Sequence, residues 1–311
     1  MPSTTYILCP GQGAQTVGMG KDFYEAFEDA RGVFDQANRV LGFDLASVCF
    51  GGPEERLNQT DVSQPAIYVT GIACYVTARF RGMFEKANEV MAGLSLGEYT
   101  ALHLGGVFDF ETGLKLVAAR GKYMQEAAVA SPSGMVAVMG ADEAQVNKLC
   151  EENAKGEVLV PANFNAPGQV VASGTKAACE RLAAAAGAAG FKAVPLVVAG
   201  AFHSPLMKPA ADKMAAELEK VQFKSPRVPV YSNVTADLHT DPVSIKKLLV
   251  DQIVKPVRWE QTMQKIAGVA DARFVELAPG RVLTGLLKKI NRRLPVETLS
   301  TAENIRSANG A

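Results

Sequence analysis

Short apolar segments alternate along this chain with longer segments whose apolar residues recur at helical spacing. The strand candidates are residues 6–9, 89–92, 228–231 and 274–277, and each ends near Gly, Pro, Ser or Asn. Residues 110–127 predict a helix, because their apolar positions fall on one helical face. Such an alternation restricts the chain to an α/β fold, in which helices cover a sheet.

The middle of the chain predicts a second, smaller unit. Its segments follow the order strand, helix, strand, strand, helix, strand, at residues 135–139, 142–153, 158–164, 169–173, 176–189 and 193–198. This order is that of the split βαβ, or ferredoxin-like, motif βαββαβ. We therefore expect residues 132–200 to form a small domain inserted into a large one made of residues 1–131 and 201–311.

Charge and hydrophobicity exclude several classes of protein. The 311 residues include 32 Lys and Arg against 32 Asp and Glu, and 48% are hydrophobic. A disordered chain would be less hydrophobic and unbalanced in charge. Zero net charge also removes bulk electrostatics as a reason to bind nucleic acid or an anionic membrane. Any anionic ligand must therefore be held by particular residues.

The sequence also argues against a membrane span and a metal site. The longest nearly uninterrupted apolar stretch, residues 193–202, contains Pro195 and is shorter than the roughly 20 residues that cross a bilayer. The first residues have no signal-peptide pattern. The five cysteines form no CxxC pair, which is typical of reduced thiols. We expect a soluble protein in a reducing compartment, without a bound metal.

The strongest local signal for chemistry is the G-x-S-x-G sequence of residues 93–97, which follows an apolar strand and opens a helix. Small flanking residues permit the sharp turn that exposes a serine hydroxyl, and the following helix supplies N–H groups and its positive end. Ser95 is therefore the candidate nucleophile. Glu98 lies in the first helical turn, where a carboxylate complements the helix dipole.

A serine nucleophile needs a base, and the chain has only three histidines. His203 follows a predicted strand and precedes a Ser-Pro pair that predicts a helix start. A histidine at such a junction is held by rigid elements, so we assign His203 as the base. His103, two turns along the helix after the elbow, and His239, in a polar stretch, are interpreted as structural or surface histidines.

Two further features are candidates for binding. Residues 10–15, Pro-Gly-Gln-Gly-Ala-Gln, follow the first strand and can offer main-chain amides to an oxyanion. They lack the Lys-Ser/Thr of a P-loop, so we do not expect nucleotide binding. Arg120 lies at the border of an apolar helix face. Its side chain either reaches solvent or points into a cleft to bind a carboxylate, and the sequence leaves both open.

These motifs resemble those of the malonyl-CoA:acyl carrier protein transacylases, which are acyltransferases of fatty-acid synthesis. The matching segments span nearly the whole chain, at residues 10–15, 63–66, 93–99, 120–122, 167–169, 200–205, 232–234, 252, 255–257 and 277–280. The resemblance implies a large α/β hydrolase-like domain with an inserted ferredoxin-like domain. The chain has Leu94 where many members have histidine, and at this position it resembles the plastid and cyanobacterial members.

The resemblance also implies catalytic roles. Ser95 would take the malonyl group as an ester in a ping-pong reaction. His203 would be the general base and acid, oriented by the main-chain carbonyl of Gln252. The main-chain amides of Gln12 and Leu96 would form the oxyanion hole.

For substrate binding, the resemblance implies that Arg120 pairs with the malonyl carboxylate. A guanidinium that faces an acetyl group would lack a partner, so malonyl should be preferred. The other implied pocket residues are Gln64, Met124, Asn163, Gln169 and Asn233. No cofactor is implied, because malonyl-CoA is a substrate.

Two partners are implied, malonyl-CoA and the acidic acyl carrier protein. The candidate docking site for the carrier is a basic cluster near the C-terminus, which comprises Lys288, Lys289, Arg292 and Arg293. Further positive charges are Lys208, Lys246, Lys247 and Lys255, although such runs also occur on ordinary solvated helices. The implied compartment is a chloroplast stroma or a bacterial cytoplasm.

Two other functions stay open at this point. A serine esterase or thioesterase of the α/β-hydrolase fold would use the same elbow, although its histidine normally lies near the C-terminus, and more than 100 residues follow His203. A non-catalytic protein that binds acyl-CoA or carrier protein could share the scaffold. The presence of both Ser95 and His203 argues against it.

Overall fold

The structure is a computed structural model that describes residues 4–84 and 88–308, with side chains up to residue 306. Within these ranges the strands are β1 (Thr5–Cys9), β2 (Glu89–Gly93), β3 (Ser133–Met139), β4 (Leu159–Ala166), β5 (Gln169–Thr175), β6 (Lys192–Pro195), β7 (Arg273–Leu277) and β8 (Val296–Leu299). The α-helices of the same ranges are α1 (Lys21–Ala26), α2 (Glu28–Leu41), α3 (Leu45–Gly51), α4 (Glu54–Leu57), α5 (Thr60–Phe80), α6 (Gly97–Leu104), α7 (Phe110–Val129), α8 (Glu143–Ala154), α9 (Lys176–Ala188), α10 (Lys208–Glu219), α11 (Pro242–Val254), α12 (Trp259–Ala267), α13 (Val282–Ile290) and α14 (Ala302–Ala308). None of these helices is both long and apolar enough to cross a lipid bilayer.

A parallel sheet with the strand order β2-β1-β7-β8 forms the centre of the larger unit. Alternate residues of β1 enter two different cores. Ile7 and Cys9 pack in the core that contains α5 and α7, while Tyr6 and Leu8 pack in the core that contains α12 and α13. A parallel sheet that is covered on both faces requires such continuously apolar strands. The predicted α/β class is therefore confirmed.

The second sheet is antiparallel, with the order β4-β5-β3-β6. Helices α8 and α9 pack on one of its faces, and the connection follows the predicted βαββαβ order. Met135, Ala137 and Val171 of this sheet belong instead to the core of the larger unit. The strands of the second sheet lie between residues 133 and 195, and the expected domain boundaries at 132 and 200 stay a prediction.

The strand predicted at residues 228–231 is wrong. The segment forms only isolated bridges, between Val230 and Met91 and between Tyr231 and Leu238. Pro229 has no N–H to donate to a ladder, which explains why pairing stops there. Strand β6 ends at Pro195 and not at the predicted residue 198.

Glycines bring the first two strands and the following loops into close contact. A β-carbon at Gly97 would lie 2.1 Å from the Cys9 carbonyl oxygen, and one at Gly11 would lie 2.2 Å from the Leu94 carbonyl oxygen. Only glycine fits at such distances. The loop after β1 is therefore packed against the turn between β2 and α6, and this contact positions the site described below.

Candidate active site

Ser95 lies in the sharp turn between β2 and α6 and has a positive φ of 52°. This conformation costs about 1–3 kcal/mol for a residue with a side chain, so the surroundings must hold it. Asn233 does so with both ends of its amide: its Oδ1 accepts from the Ser95 amide at 2.6 Å, and its Nδ2 donates to the Gly93 carbonyl at 2.7 Å. The turn has the geometry of a nucleophile elbow.

His203 contacts the serine directly. Its Nε2 lies 2.8 Å from Ser95 Oγ, and its Nδ1 lies 2.6 Å from the main-chain carbonyl oxygen of Gln252. A carbonyl oxygen can only accept, so Nδ1 carries the proton and Nε2 presents a lone pair to the serine hydroxyl. The ring thus has the tautomer that a general base requires.

Burial and charge keep His203 neutral. The ring is buried, which lowers its pKa, and the positive charge of Arg120 lowers it further, while the bond to the Gln252 carbonyl opposes both; the resulting pKa is about 4. Within the described residues, the hydrogen-bond partners of the ring are Ser95 and Gln252. His203 is therefore a neutral base without a carboxylate partner.

Arg120 points into the site and not to solvent, with 1% of its surface exposed. Its Nη1 donates to Gln64 Oε1 at 2.7 Å, and its Nη2 donates to Gln252 Oε1 at 2.9 Å and to Ser95 Oγ at 3.1 Å. Burial lowers the pKa of the guanidinium. Its Nε has no partner among the described residues. A buried cation with uncharged partners is suited to bind an anion beside the serine.

The two main-chain amides expected to form an oxyanion hole belong to the loop after β1 and to the turn between β2 and α6. Leu96 directly follows Ser95 at the start of α6. Gln12 belongs to the loop after β1, in which the Gln15 side chain accepts from the Gly13 amide at 2.7 Å. Among the described residues, neither the Gln12 nor the Leu96 amide donates a hydrogen bond, so both are available to a ligand.

The structure separates the remaining predicted pocket residues. Gln64 and Met124 lie beside the guanidinium and contact each other, with 3.6 Å between Gln64 Nε2 and Met124 Sδ. Asn163 is buried on β4. Gln169 is the first residue of β5, and its side chain accepts a hydrogen bond from Lys289. Substrate contacts by Asn163 and Gln169 stay predictions.

Comparison with known proteins adds the family. The model of the acyl transferase domain family matches residues 5–308. The chain belongs to this family. The acyl transferase is 44% identical to the malonyl CoA-acyl carrier protein transacylase of Escherichia coli K12 over 295 residues, which are 94% of this chain and 95% of the relative.

Solved structures agree. The acyl transferase is similar to the malonyl CoA-acyl carrier protein transacylase of Coxiella burnetii, with a TM-score of 0.95 and 38% identity, over 100% of this chain and 98% of the other. It is also similar to a malonyl-transacylase solved in complex with its type II PKS acyl-carrier protein, with a TM-score of 0.93 and 40% identity over 99% of both chains. These findings confirm the predicted acyltransferase class, in preference to the esterase and the binding protein.

Sequence reasoning missed part of the acyl transferase site. Glu98 was expected only to complement the helix dipole, but it is buried and lies 2.7 Å from His239 Nε2. His239 is thus a structural histidine and not a surface one. For Gln252 only the main-chain carbonyl was predicted, although its side chain contacts Arg120. The one available signal was that Glu98 follows the serine by three residues, on the first turn of the helix.

The third histidine of the acyl transferase is structural. His103 is partly buried, and its Nδ1 lies 3.2 Å from the Phe108 carbonyl oxygen. Burial lowers the pKa of this ring as well. Among the described residues, no group of three or more His, Cys, Asp or Glu side chains could hold a metal ion, and the absence of a metal from the reaction stays a prediction.

Proposed function

We propose that this acyl transferase moves a malonyl group from malonyl-CoA to the phosphopantetheine thiol of an acyl carrier protein through an ester on Ser95. The observation that carries the proposal is the buried Arg120 guanidinium, 3.1 Å from Ser95 Oγ and without a carboxylate among its hydrogen-bond partners in the described chain. A malonyl group ends in a carboxylate that supplies the missing negative charge. An acetyl group does not.

In the first half-reaction, Ser95 Oγ attacks the thioester carbonyl and its proton passes to His203 Nε2. The amides of Gln12 and Leu96 donate to the resulting oxyanion, and one such donor is worth about 3 kcal/mol. The carbon–sulfur bond then breaks, and CoA leaves as a thiol after His203 returns the proton. In the second half-reaction, the carrier thiol gives its proton to His203 and attacks the ester, and Ser95 recovers its proton as it leaves.

A carbonyl partner for His203 is sufficient for this exchange. Thiolates are good leaving groups, and the reaction exchanges a thioester for an ester and back. Strong stabilisation of an imidazolium by a carboxylate is therefore less necessary than in the hydrolysis of an amide. A malonyl carboxylate on Arg120 would also offset the positive charge beside the imidazolium while it carries the proton.

The test is a competition for the serine. The enzyme is mixed with equal concentrations of malonyl-CoA and acetyl-CoA, and the adducts are mapped by mass spectrometry. We expect a malonyl adduct on Ser95, in about 100-fold excess over acetyl, and no adduct on Ser95→Ala. Equal labelling by both donors, or malonyl retained by Ser95→Ala, would contradict the proposal. Hydrolysis as fast as transfer to a carrier thiol would favour an esterase.

We also propose that the acidic carrier docks on the basic cluster of Lys288, Lys289, Arg292 and Arg293. All four are exposed, at the end of α13 and in the turn that follows. Within the described residues none of them forms a salt bridge, whereas Lys208 and Lys255 pair with Asp212 and Asp251. Their charge is therefore available to a partner.

Charge reversal tests this surface. The double variant Lys288→Glu/Lys289→Glu should raise KM for the carrier about 10-fold and weaken its dependence on salt, with acylation by malonyl-CoA unchanged. Lys115→Glu/Lys148→Glu is the control, because both lysines are exposed and lie on other helices. An unchanged KM in the first variant would exclude this surface.

For the compartment, we propose a reducing one, the bacterial cytoplasm, with the plastid stroma as the alternative. The five cysteines are free and buried, in keeping with reduced thiols. The relative in Escherichia coli and the solved structure from Coxiella burnetii are bacterial proteins. Fluorescence microscopy of a tagged copy of the full protein in its own cells would test the compartment, and a signal outside the cytoplasm and the stroma would contradict the proposal.

A further inference from the structure

Glu98 is a buried carboxylate that the proposed reaction does not use. It is the second residue of α6, three residues after the nucleophile, and its side chain is fully buried together with that of His239. A buried carboxylate is costly unless hydrogen bonds satisfy it. The contacts of Glu98 therefore indicate its role in the site.

Each oxygen of this carboxylate has its own partners. Oε1 lies 2.7 Å from His239 Nε2, and a carboxylate only accepts, so the ring donates from Nε2. Oε2 accepts from Gln252 Nε2 at 2.5 Å and from the main-chain N–H of Asn233 at 3.3 Å. The other ring nitrogen of His239 has no partner among the described residues. Glu98 is thus the one hydrogen-bond partner of the His239 side chain among the described residues.

The carboxylate decides which way the Gln252 amide faces. With Nε2 toward Glu98, Oε1 accepts from Arg120 Nη2 at 2.9 Å, and Nε2 also donates to the Ser95 carbonyl at 2.9 Å. A flipped amide would place its oxygen against the carboxylate and its NH2 against the guanidinium. Both contacts would be repulsive, so Glu98 selects the orientation that binds Arg120.

We propose that Glu98 and His239 are a positioning pair that sets malonyl selectivity by fixing the Gln252 side chain and, through it, the Arg120 guanidinium. The proposal rests on the proposed function, since it assumes that Arg120 binds the malonyl carboxylate. Neither residue touches the reacting atoms. Their loss should therefore weaken malonyl recognition more than it weakens the Ser95–His203 chemistry.

The experiment compares acylation by malonyl-CoA and by acetyl-CoA in rapid-quench kinetics. Glu98→Gln removes the charge that orients the amide, and we expect kcat/KM for malonyl-CoA to fall about 10- to 100-fold, while that for acetyl-CoA changes less than about 3-fold. His239→Gln keeps a donor at the place of Nε2 and should stay near wild type. His239→Leu should lose selectivity as Glu98→Gln does.

Glu111→Gln is the matched control, because Glu111 is the second residue of α7 and pairs with Lys115 on the surface. An equal fall for both donors in Glu98→Gln would overturn the proposal and leave a structural role, as would wild-type selectivity in Glu98→Gln or His239→Leu. If Glu98→Gln does not fold, the two His239 variants decide. A wild-type enzyme that takes acetyl as fast as malonyl would overturn the proposed function instead.

Discussion

Two buried histidines are connected to Gln252, one directly and one through Glu98, and their partners differ. His203 contacts Ser95 Oγ and donates to a main-chain carbonyl, whereas His239 donates to the Glu98 carboxylate. The carboxylate is thus bonded to the histidine that lies away from the serine. Its second oxygen accepts from the side chain of Gln252, and the main-chain carbonyl of Gln252 accepts from the His203 ring.

This difference separates two uses of a histidine. A carboxylate on His203 would raise its pKa and stabilise the imidazolium. The site instead places a cation near that ring, and the base stays neutral far below neutral pH. The Glu98 carboxylate instead contacts the Gln252 side chain and orients it. Such a division suits the exchange of thioesters, where the leaving group needs little help and recognition of the acyl group decides specificity.

Substitution of Arg120 should have the largest effect on activity and bears on both histidines. The guanidinium lies near His203 and is bound by the Gln252 side-chain amide that Glu98 orients. Arg120→Ala should lower kcat/KM for malonyl-CoA by about 100- to 1000-fold, because the carboxylate loses a charge-assisted partner in a buried site. Acetyl transfer should hold or rise. Competitive acylation kinetics measure both.

Arg120→Lys serves as the control for Arg120→Ala. It keeps the positive charge but not the fork that reaches Gln64 and Gln252, so an intermediate loss is expected. Equal losses for malonyl and acetyl in Arg120→Ala would show that the guanidinium supports the chain and not the substrate.

Asn233 should give a smaller effect of a different kind, because its side chain binds the main chain of the elbow at Ser95 and Gly93, while its bond to Glu98 comes from the main-chain N–H and is kept in an alanine variant. Asn233→Ala should reduce kcat about 10-fold for malonyl and acetyl alike, because the elbow loses its clamp. The free energy of unfolding should fall by about 1–3 kcal/mol. Kinetics and denaturant titration would measure these changes, and a selective loss of malonyl transfer would be inconsistent with this role.

Local patterns predicted much of this molecule. The G-x-S-x-G turn identified Ser95 because glycine alone permits the close approach at Gly97. Elimination among three histidines predicted His203 as the base, and the structure places its ring 2.8 Å from Ser95 Oγ. The fold class followed from short apolar segments that alternate with helical patterns. The strand predicted at residues 228–231 was wrong, because Pro229 interrupts the pairing.

Contacts between distant segments were beyond such patterns. The direction of Arg120 depends on Gln64 and Gln252, which lie 56 and 132 residues away. Glu98 and His239 are 141 residues apart, and only the fold brings them together. His239 lies in a polar stretch of sequence, which gives no sign of burial. Its contact with the Glu98 carboxylate depends on how the fold places α6 against the loop before α11.

The pH dependence of Ser95 acylation tests the central claim most directly, namely that His203 is a neutral base held by a carbonyl and flanked by a cation. With a pKa of about 4, the neutral form that accepts the serine proton is still about 90% populated at pH 5, against about 3% for an ordinary histidine. Single-turnover kcat/KM should therefore stay nearly constant from pH 7 to pH 5 and fall only near pH 4. In Arg120→Ala the fall should begin at higher pH, because the cation no longer opposes protonation. Loss of wild-type acylation near pH 6.5, in enzyme that circular dichroism shows to be folded, would contradict the account.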